Sequence, residues 1–253
     1  MKATSPQNNV ALIVASLNSG GTERVASTMA NYWSENGANV VIVMLNHGQG
    51  VFYPIRPEIS IERLSYCKHT HKLKQIIGFF STVVRLRKVL AEYHVETQVS
   101  FLPHVNIIAI LASLGSARRV VVSERNDMTR QALSRQWRAL RYVLYRVADL
   151  VTVNYRKNIK ILGQFVPAGR IRWLPNPVDV AAYTRINRCP SRRILAVGRL
   201  TRQKGFDILI QAFELTECKD KGWTLEIIGK GTEETELRRM ISGAGLMAQI
   251  TMK

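Results

Sequence analysis

The sequence lacks the marks of several common protein classes. Its three cysteines, Cys67, Cys189 and Cys218, are far apart, so they form neither a zinc-binding pair nor a disulfide framework. Scattered cysteines of this kind indicate a protein of a reducing compartment, and we expect the cytoplasm. No hydrophobic run is long enough to cross a membrane, and the apolar run that begins at Val10 is too short for a signal peptide. We therefore expect a soluble protein or one bound to a membrane surface.

Acidic residues are scarce. The chain has 18 Asp and Glu against 36 Lys and Arg, and the formal net charge of +18 demands an anionic partner or surface. The basic residues of the densest segment are Arg118, Arg119, Arg125, Arg130, Arg135, Arg138, Arg141, Arg146, Arg156, Lys157, Lys160, Arg170 and Arg172, opposed by Glu124, Asp127 and Asp149. A second basic patch contains Lys68, Lys72, Lys74, Arg85, Arg87 and Lys88.

Nucleic acid is one explanation of this charge, and an anionic membrane is the other. The sequence contains no RNA-recognition aromatic motif, no zinc finger and no Gly-x-x-Gly in a KH-like setting, so we expect no nucleic-acid partner. Tyr142 and Tyr145 stand among the arginines, but their helical spacing is typical of core or boundary residues. Basic residues near an anionic leaflet contribute roughly 1 kcal/mol each, and a membrane is the partner that we expect.

The segment 72–92 is predicted to be the helix that meets this membrane. One side of it carries an apolar stripe of Leu73, Ile76, Ile77, Phe80, Val83, Val84 and Leu90, and the opposite side carries Lys74, Ser81, Arg85 and Lys88. We predict that the stripe faces the core. Phe79 and Leu86, at the edge of the stripe beside basic residues, are then left for an interfacial role.

Short apolar runs alternate with helical patterns, which indicates an α/β fold with parallel sheets. Strands are predicted near 10–16, 40–45, 97–101, 119–123, 149–153, 171–174, 193–198 and 223–228. Helices are predicted near 22–36, 72–92, 104–114, 131–147, 155–164, 204–217 and 233–243. Three prolines and a polar stretch at 175–193 separate two domains, residues 1–185 and 186–253.

Two glycine loops follow buried strands. Gly20 and Gly21 form a turn after the first strand, and Thr22 is predicted to cap the next helix. Ligands of open α/β sheets bind at this end of a strand, but the turn is no dinucleotide fingerprint, because Gly-x-Gly-x-x-Gly is absent.

The second loop carries two cations beside glycines. Gly198, Arg199, Lys204 and Gly205 lie between a strand and a helix, where glycine lets a phosphate approach the backbone and Arg and Lys supply charge. The alternative is a loop whose cations are simply solvated.

Four segments in order, 20–25, 121–127, 174–179 and 197–205, resemble those of the family-4 retaining glycosyltransferases. The resemblance implies the GT-B fold, two Rossmann-like parallel-sheet domains facing each other across a cleft. It also implies transfer of a sugar from a nucleotide-sugar donor with retention of configuration. Arg199 and Lys204, with Gly198 and the backbone of Gly20 and Gly21, would stabilise the departing diphosphate. No metal and no cofactor are expected.

The strand-end residues Ser123, Glu124 and Arg125 resemble a subset that acts on polyprenyl-diphosphate glycans or surface polysaccharides. The resemblance makes Arg125 a candidate for a donor or acceptor phosphate, with a salt bridge to Glu124 or Asp127 as the alternative. His104 is a candidate for the rim of the cleft, and Thr22, Glu124 and Asn126 are acceptor-side candidates. Such an enzyme would lie on the inner face of the cytoplasmic membrane and bind a lipid-linked or glycan acceptor.

The family's second domain carries two glutamates separated by seven residues, and none of Glu233, Glu234 and Glu236 matches that pattern. The sequence stops at residues 250–253 as it enters another strand. We therefore expect a complete acceptor-side domain, an incomplete donor domain that is loosely held and prone to association, and a fragment inactive alone. A non-catalytic basic module that binds membranes or glycans is the alternative.

Overall fold

The computed structural model describes residues 8–46, 50–64, 72–129, 131, 133–178, 191–218 and 220–253, with 72–74 in backbone only. The chain divides into two compact units, Met1–Asp179 (unit 1) and Val180–Lys253 (unit 2). The predicted domain boundary after residue 185 lies outside the described residues.

Unit 1 contains a sheet of seven parallel strands. They are β1 (Asn9–Val14), β2 (Asn39–Met44), β3 (Ser60–Arg63), β4 (Thr97–Phe101), β5 (Arg119–Glu124), β6 (Leu150–Val153) and β7 (Ile171–Trp173). Their order is β3-β2-β1-β4-β5-β6-β7. The order therefore reverses between β1 and β4, the kind of switch point at which open sheets bind ligands.

Five α-helices connect these strands. They are α1 (Gly21–Glu35), α2 (Lys72–Glu92), α3 (Pro103–Ser113), α4 (Arg135–Leu144) and α5 (Lys157–Leu162), and a short 3-10 turn, Tyr145–Val147, extends α4. Along β1, Leu12 and Val14 pack with α1, whereas Ala11 and Ile13 pack with α2 and α3. Helices cover both faces of the sheet, which is why its strands are unbroken apolar runs.

Unit 2 is smaller. Its strands β8 (Arg193–Val197), β9 (Thr224–Ile228) and β10 (Ile250–Met252) form a parallel sheet in the order β10-β9-β8. Helices α6 (Phe206–Leu215) and α7 (Glu234–Gly243) cover one face, where Leu225 and Ile227 are fully buried. Leu195 and Val197 point away from that core and are 57% and 69% exposed.

The predicted strands and helices all occur, with shifted ends. The predicted helix 131–147 begins later, at Arg135, because Ser134 caps it by accepting a hydrogen bond from the backbone N–H of Trp137. The predicted cap at Thr22 is wrong, since α1 begins at Gly21 with Gly20 before it and no side-chain cap. β3 was not predicted, because this half-exposed edge strand has no apolar run.

The prediction for α2 is right for Val83 and Leu90, which pack into the core, but wrong for most of the predicted stripe and for Phe79 and Leu86, which also pack there. Leu86 and Leu90 are fully buried, and Phe79 packs edge-on against Trp137 at 5.9 Å between ring centroids. The residues that are exposed instead, by 53–60%, are Ile76, Ile77, Phe80 and Val84. Leu73 and Lys74 lie outside the described side chains.

Candidate functional site

The candidate residues of unit 1 meet at one edge of its sheet. All seven strands are parallel, so their carboxyl ends lie together. Gly20 and Gly21 follow β1, and His104 follows β4. Glu124 ends β5, and Arg125 and Asn126 follow it. The strands β1, β4 and β5 are neighbours in the sheet. The topology therefore brings together residues that are about a hundred positions apart in sequence.

The glycine turn leaves the start of α1 open. A Cβ atom on Gly21 would meet no atom within 4 Å, so the packing of unit 1 does not require glycine there. A Cβ on Gly20 would meet the Glu23 carboxylate, which already lies over the positive end of the helix. Thr22 is half-buried in the first helical turn.

Glu124 is buried below this edge. Its Oε1 accepts a hydrogen bond of 2.6 Å from the Tyr145 hydroxyl, and its Oε2 accepts one of 3.2 Å from the Gln131 amide. Arg141 lies 3.8 Å from Oε1 and also donates to the Gln131 side chain. Burial raises the pKa of the Glu124 carboxyl, and the hydrogen bonds and the charge of Arg141 oppose that rise. Both oxygens of Glu124 are thus engaged inside unit 1.

Arg125 is the neighbouring residue in sequence, but its surroundings differ. It is 8% exposed, and no ion pair joins it to Glu124 or Asp127 in the described part of the chain. Its Nη1 donates to Asn176 Oδ1 at 3.0 Å, its guanidinium lies 5.5 Å from the Phe101 ring centre, and its buried Nε has no partner. Burial lowers the pKa of Arg125 to about 10. The salt-bridge alternative of the sequence is therefore wrong, and a buried cation without a counter-charge remains at this edge.

Asn126 is exposed, and its loop is held from below by Asn158. The Asn158 side chain donates to the Asn126 carbonyl at 2.8 Å and accepts from the Met128 backbone N–H at 3.1 Å. Asn158 is fully buried in α5. Its role was missed because no local pattern marks a polar residue that bonds a loop some thirty positions away.

His104 lies at the start of α3, beside a pocket of about 420 Å³. Its ring meets the Trp137 ring edge-on with 4.3 Å between centroids. The lining residues are Ala15, Leu45, Asn46, Gln75, Leu102, His104, Val105, Ile108 and Trp137. The sequence pointed to His104 alone, since Ala15, Leu45, Asn46, Gln75 and Trp137 come from four other segments of the chain.

The candidate residues of unit 2 surround the start of α6. Gly198 follows β8, a 3-10 turn covers Arg202–Lys204, and Gly205 has the left-handed conformation, with φ of 67°, that ends this turn. Arg199 and Lys204 are exposed, and neither forms an ion pair with a described residue. Two uncompensated cations therefore stand at the carboxyl end of β8 and beside a helix N-terminus.

A second glycine loop holds this one in place. Gly198 N–H donates to the Ile228 carbonyl and Leu200 N–H donates to the Lys230 carbonyl, each at 3.0 Å. A Cβ on Gly229 would lie 1.8 Å from the Gly198 carbonyl oxygen, and one on Gly231 would lie 2.2 Å from that of Leu200. Glycine is needed at both positions because the two backbones are in contact.

The predicted approach of Gly20 and Gly21 to Arg199 and Lys204 involves both units and stays a prediction. Among the described residues, no group of three or more His, Cys, Asp or Glu is placed to hold a metal ion. None of the described helices combines the length and apolar character needed to span a bilayer.

Two units, each built on a parallel sheet with helices between its strands, define an α/β protein, and the first sheet has a switch point of the kind at which open sheets bind ligands. The model of the family "Glycosyltransferase Family 4" matches residues 19–182. The model "Glycosyl transferases group 1" matches residues 188–253. The chain belongs to the family-4 glycosyltransferases.

Similar proteins agree with this family. The chain is 26% identical, over 94% of its length, to the GalNAc-α-(1→4)-GalNAc-α-(1→3)-diNAcBac-PP-undecaprenol α-1,4-N-acetyl-D-galactosaminyltransferase of Campylobacter jejuni. It is 27% identical, over 88% of its length, to the amylovoran biosynthesis glycosyltransferase AmsD of Erwinia amylovora. It spans 66% and 62% of the length of these two relatives.

Solved structures show the fold. Sucrose-phosphate synthase from Thermosynechococcus elongatus superposes with a TM-score of 0.76 at 15% identity, covering 98% of this chain and 70% of that one. Anabaena HepE in complex with UDP gives 0.73 at 17% identity, with 96% and 68% covered. The predicted fold class, an α/β fold of the GT-B type with two Rossmann-like parallel-sheet units, is confirmed.

Proposed function

We propose that the protein transfers a sugar from a nucleotide-sugar donor to a lipid-linked or polysaccharide acceptor, with retention, in the synthesis of cell-envelope glycans. The observation that carries this proposal is the pair of uncompensated cations, Arg199 and Lys204, beside Gly198 in a chain of this family. The names of the relatives, which concern an undecaprenyl-diphosphate glycan and amylovoran, support the acceptor class.

The chemistry follows from charge. When the bond between the sugar and the donor diphosphate breaks, negative charge gathers on the diphosphate. Arg199 and Lys204 stabilise that charge, and the N-terminus of α6 adds its dipole. The backbone of residues 198–200, which carries Arg199, is held by its contact with Gly229 and Gly231, so the loop itself needs little reorganisation when charge develops.

The test uses a version of the protein extended to the length of its relatives. Arg199→Ala and Lys204→Ala should each lower kcat/KM for sugar transfer at least about 100-fold without changing thermal unfolding. Arg239→Ala is the matched control, because this exposed arginine pairs with Glu236 on α7, and its turnover should stay normal. Near-normal turnover in both loop variants would refute the assignment.

We further propose that unit 1 binds the inner face of the cytoplasmic membrane. The exposed side chains Ile76, Ile77, Phe80 and Val84 form an apolar strip on α2, and Arg85, Arg87 and Lys88 are exposed in the following turns. An apolar strip flanked by cations is the surface that an anionic leaflet attracts. The net charge of +18 adds long-range attraction.

Vesicle binding tests the membrane proposal. The chain should bind vesicles that contain anionic lipid and leave them as salt increases, because screening weakens the attraction. Reversing Lys74, Arg85 and Lys88 to Glu should weaken binding, whereas reversing Arg239 should not. Equal binding to neutral and anionic vesicles would contradict the proposal, and binding of RNA with equal affinity would favour the nucleic-acid explanation instead.

A further inference from the structure

A groove lies at the amino-terminal edge of the sheet in unit 1, the edge opposite the candidate residues of that unit. Here α2 and α3 end, and the loop of residues 114–118 leads from α3 into β5. The groove runs between the end of α2 and this loop, and its lining residues are Ala91, His94, Val95, Glu96, Ser116, Ala117 and Arg118. Its volume of about 410 Å³ is within the usual range of small-molecule sites, ~300–1,000 Å³.

Two arginines meet at this groove. Arg118 is half-buried in its lining, and Arg87 lies one helical turn before Ala91 on α2. Burial lowers the pKa of Arg118, and the nearby charge of Arg87 lowers it further. Two like charges that are held close together and partly removed from water repel each other, so a counter-charge between them would be stabilising.

No described carboxylate supplies that counter-charge. Neither arginine forms an ion pair with a described residue, although Glu96 lines the same groove. The chain has 18 Asp and Glu, and all of them except Asp179 belong to the described residues. The positive charge at the groove is therefore uncompensated with respect to all but one of the acidic residues of the chain.

The carboxyl ends of α2 and α3 offset part of this charge, because each carries a partial charge of roughly −0.5. The Leu114 carbonyl, just beyond α3, accepts a hydrogen bond of 2.7 Å from Arg87 Nη1. A guanidinium has about five N–H donors in a planar fork that matches a phosphate. Most donors of Arg87, and those of Arg118, have no acceptor in the described part of the chain.

The backbone of the loop adds further donors. The N–H groups of Ala117 and Arg118 have no hydrogen-bond acceptor among the described residues. Successive backbone N–H groups beside a guanidinium favour an anion rather than a neutral ligand. Charge, donor geometry and size therefore agree on a small anionic group.

We propose that this groove binds a phosphate group, with the guanidinium groups of Arg87 and Arg118 and the backbone N–H of Ala117 as its donors. The ligand class is a phosphate monoester, which carries a charge of about −1.5 to −2 near pH 7. Val84 of the exposed α2 strip lies one helical turn before Arg87, so a lipid headgroup is one source of the phosphate, and a soluble phosphate ester is the other. The site does not depend on the proposed sugar transfer.

Backbone amide NMR reads this site locally, which matters because Arg199 and Lys204 are expected to bind phosphate too. Inorganic phosphate and glycerol 3-phosphate are titrated into the 253-residue chain at constant ionic strength, set with chloride. The Ala117 amide signal should shift and saturate. Arg118→Gln and Arg87→Gln should each raise the dissociation constant at least about tenfold, because each variant removes a charged donor.

Arg119→Gln is the matched control, since it removes the same charge from the next residue, which is exposed and does not line the groove. Its dissociation constant should equal that of the wild type. Glu96→Gln removes a negative charge from the groove and should tighten binding, and it keeps the proposal testable if the arginine variants unfold. No saturable shift in the wild type, or equal losses in Arg119→Gln and Arg118→Gln, overturns the proposal.

Vesicles distinguish the two sources of the phosphate. Phosphatidic acid carries a phosphate monoester and phosphatidylglycerol a diester, and the two kinds of vesicle are matched in surface charge. A preference for phosphatidic acid that is lost in Arg118→Gln assigns the site to a lipid headgroup. Equal binding to both vesicles, together with saturable binding of glycerol 3-phosphate, assigns it to a soluble ester. The measurements need neither a sugar donor nor an acceptor, so they stand apart from the transfer assay on Arg199 and Lys204.

Discussion

Glu124 offers the sharpest test of how unit 1 holds its carboxyl edge. Glu124→Ala removes the acceptor of the Tyr145 hydroxyl and of the Gln131 amide, and it leaves Arg141, 8% exposed, without a carboxylate. Breaking a buried pair by removing one partner costs about 3–5 kcal/mol. In a unit of this size each kcal/mol lowers the melting temperature by roughly 2–4 °C, so we expect a loss of roughly 6–20 °C.

Glu124→Gln separates the hydrogen bonds from the charge. The amide oxygen still accepts from Tyr145, so this variant should lose much less than Glu124→Ala. The stability of Glu124→Gln and that of the wild type should also respond differently to pH. The pKa of Glu124 is raised by burial in the folded protein, so the native state binds a proton more tightly than the unfolded chain. This contribution to stability is complete below the unfolded value, near 4.5, and is lost as the pH rises through the folded value, with a slope of up to about 1.4 kcal/mol per pH unit.

The assay is thermal unfolding followed by tryptophan fluorescence between pH 4 and pH 8, in a Trp223→Phe background so that the three remaining tryptophans, Trp33, Trp137 and Trp173, all report on unit 1. The stability of Glu124→Gln should rise relative to the wild type as the pH increases. Parallel curves for Glu124→Gln and the wild type would refute the raised pKa, and a loss below about 1 kcal/mol in Glu124→Ala would refute the buried network.

Three further predictions concern other sites. Gly231→Ala should destabilise unit 2 by about 1–3 kcal/mol, because its Cβ would lie 2.2 Å from the Leu200 carbonyl oxygen. Gly243→Ala, whose Cβ meets open space, should not destabilise it. Denaturant unfolding followed by Trp223 fluorescence measures the stability of both variants. Arg125→Met should leave the stability of unit 1 unchanged or raise it, whereas Arg141→Met should lower it. Both arginines are 8% exposed, but of the two only Arg141 faces a carboxylate. Calorimetry measures the stability of both variants, and equal losses would contradict the distinction. The double variant Leu195→Thr and Val197→Thr should reduce self-association, measured by light scattering at increasing protein concentration. Ile208→Ser, on α6, should not reduce it. Unchanged self-association in the double variant would show that the exposed sheet face does not mediate it.

The sequence was sufficient for most of the fold because the strands of unit 1 are covered on both faces. β1 and β2 have six residues each, of which the last five are apolar, and such runs can be recognised without knowledge of their neighbours. The edge strand β3 gave no such signal. Its two central residues, Ile61 and Glu62, are half-exposed, and its sequence has no apolar alternation that would distinguish it from a loop. Strand order is also beyond a local pattern, and the switch point became visible only when β4 was found beside β1.

The α2 error has a physical cause. Periodicity reports that apolar residues share a side of a helix, but it does not report what covers that side. In α2 two apolar strips repeat with a spacing of four, one through Leu86 and Leu90 and one through Ile76, Phe80 and Val84. The core takes the first strip, together with Phe79 and Val83, because Leu86 and Leu90 lie where α2 packs over β1 and α3. Lipid or another partner is the covering that the second strip needs.

The candidate cations could be recognised from neighbouring residues in the sequence, but their contacts with residues distant in the sequence could not. Arg199 and Lys204 were found from sequence because their glycines are adjacent to them, and no described carboxylate pairs with either. Arg125 was found too, but the salt-bridge alternative for it was wrong, since its partner Asn176 is 51 positions away. Glu124, the nearest carboxylate in sequence, is drawn to Arg141 instead, because Tyr145 and Gln131 fix it on the inner side of the strand end. Cations without a counter-charge among the described residues therefore stand at the carboxyl ends of β5 and β8, two strands of different sheets. At the carboxyl edge of any parallel sheet the helices that follow the strands also begin. The positive ends of their dipoles therefore favour anions there, in addition to the charged side chains. A basic residue left unpaired at such an edge is better evidence for an anionic ligand than the net charge of the whole chain.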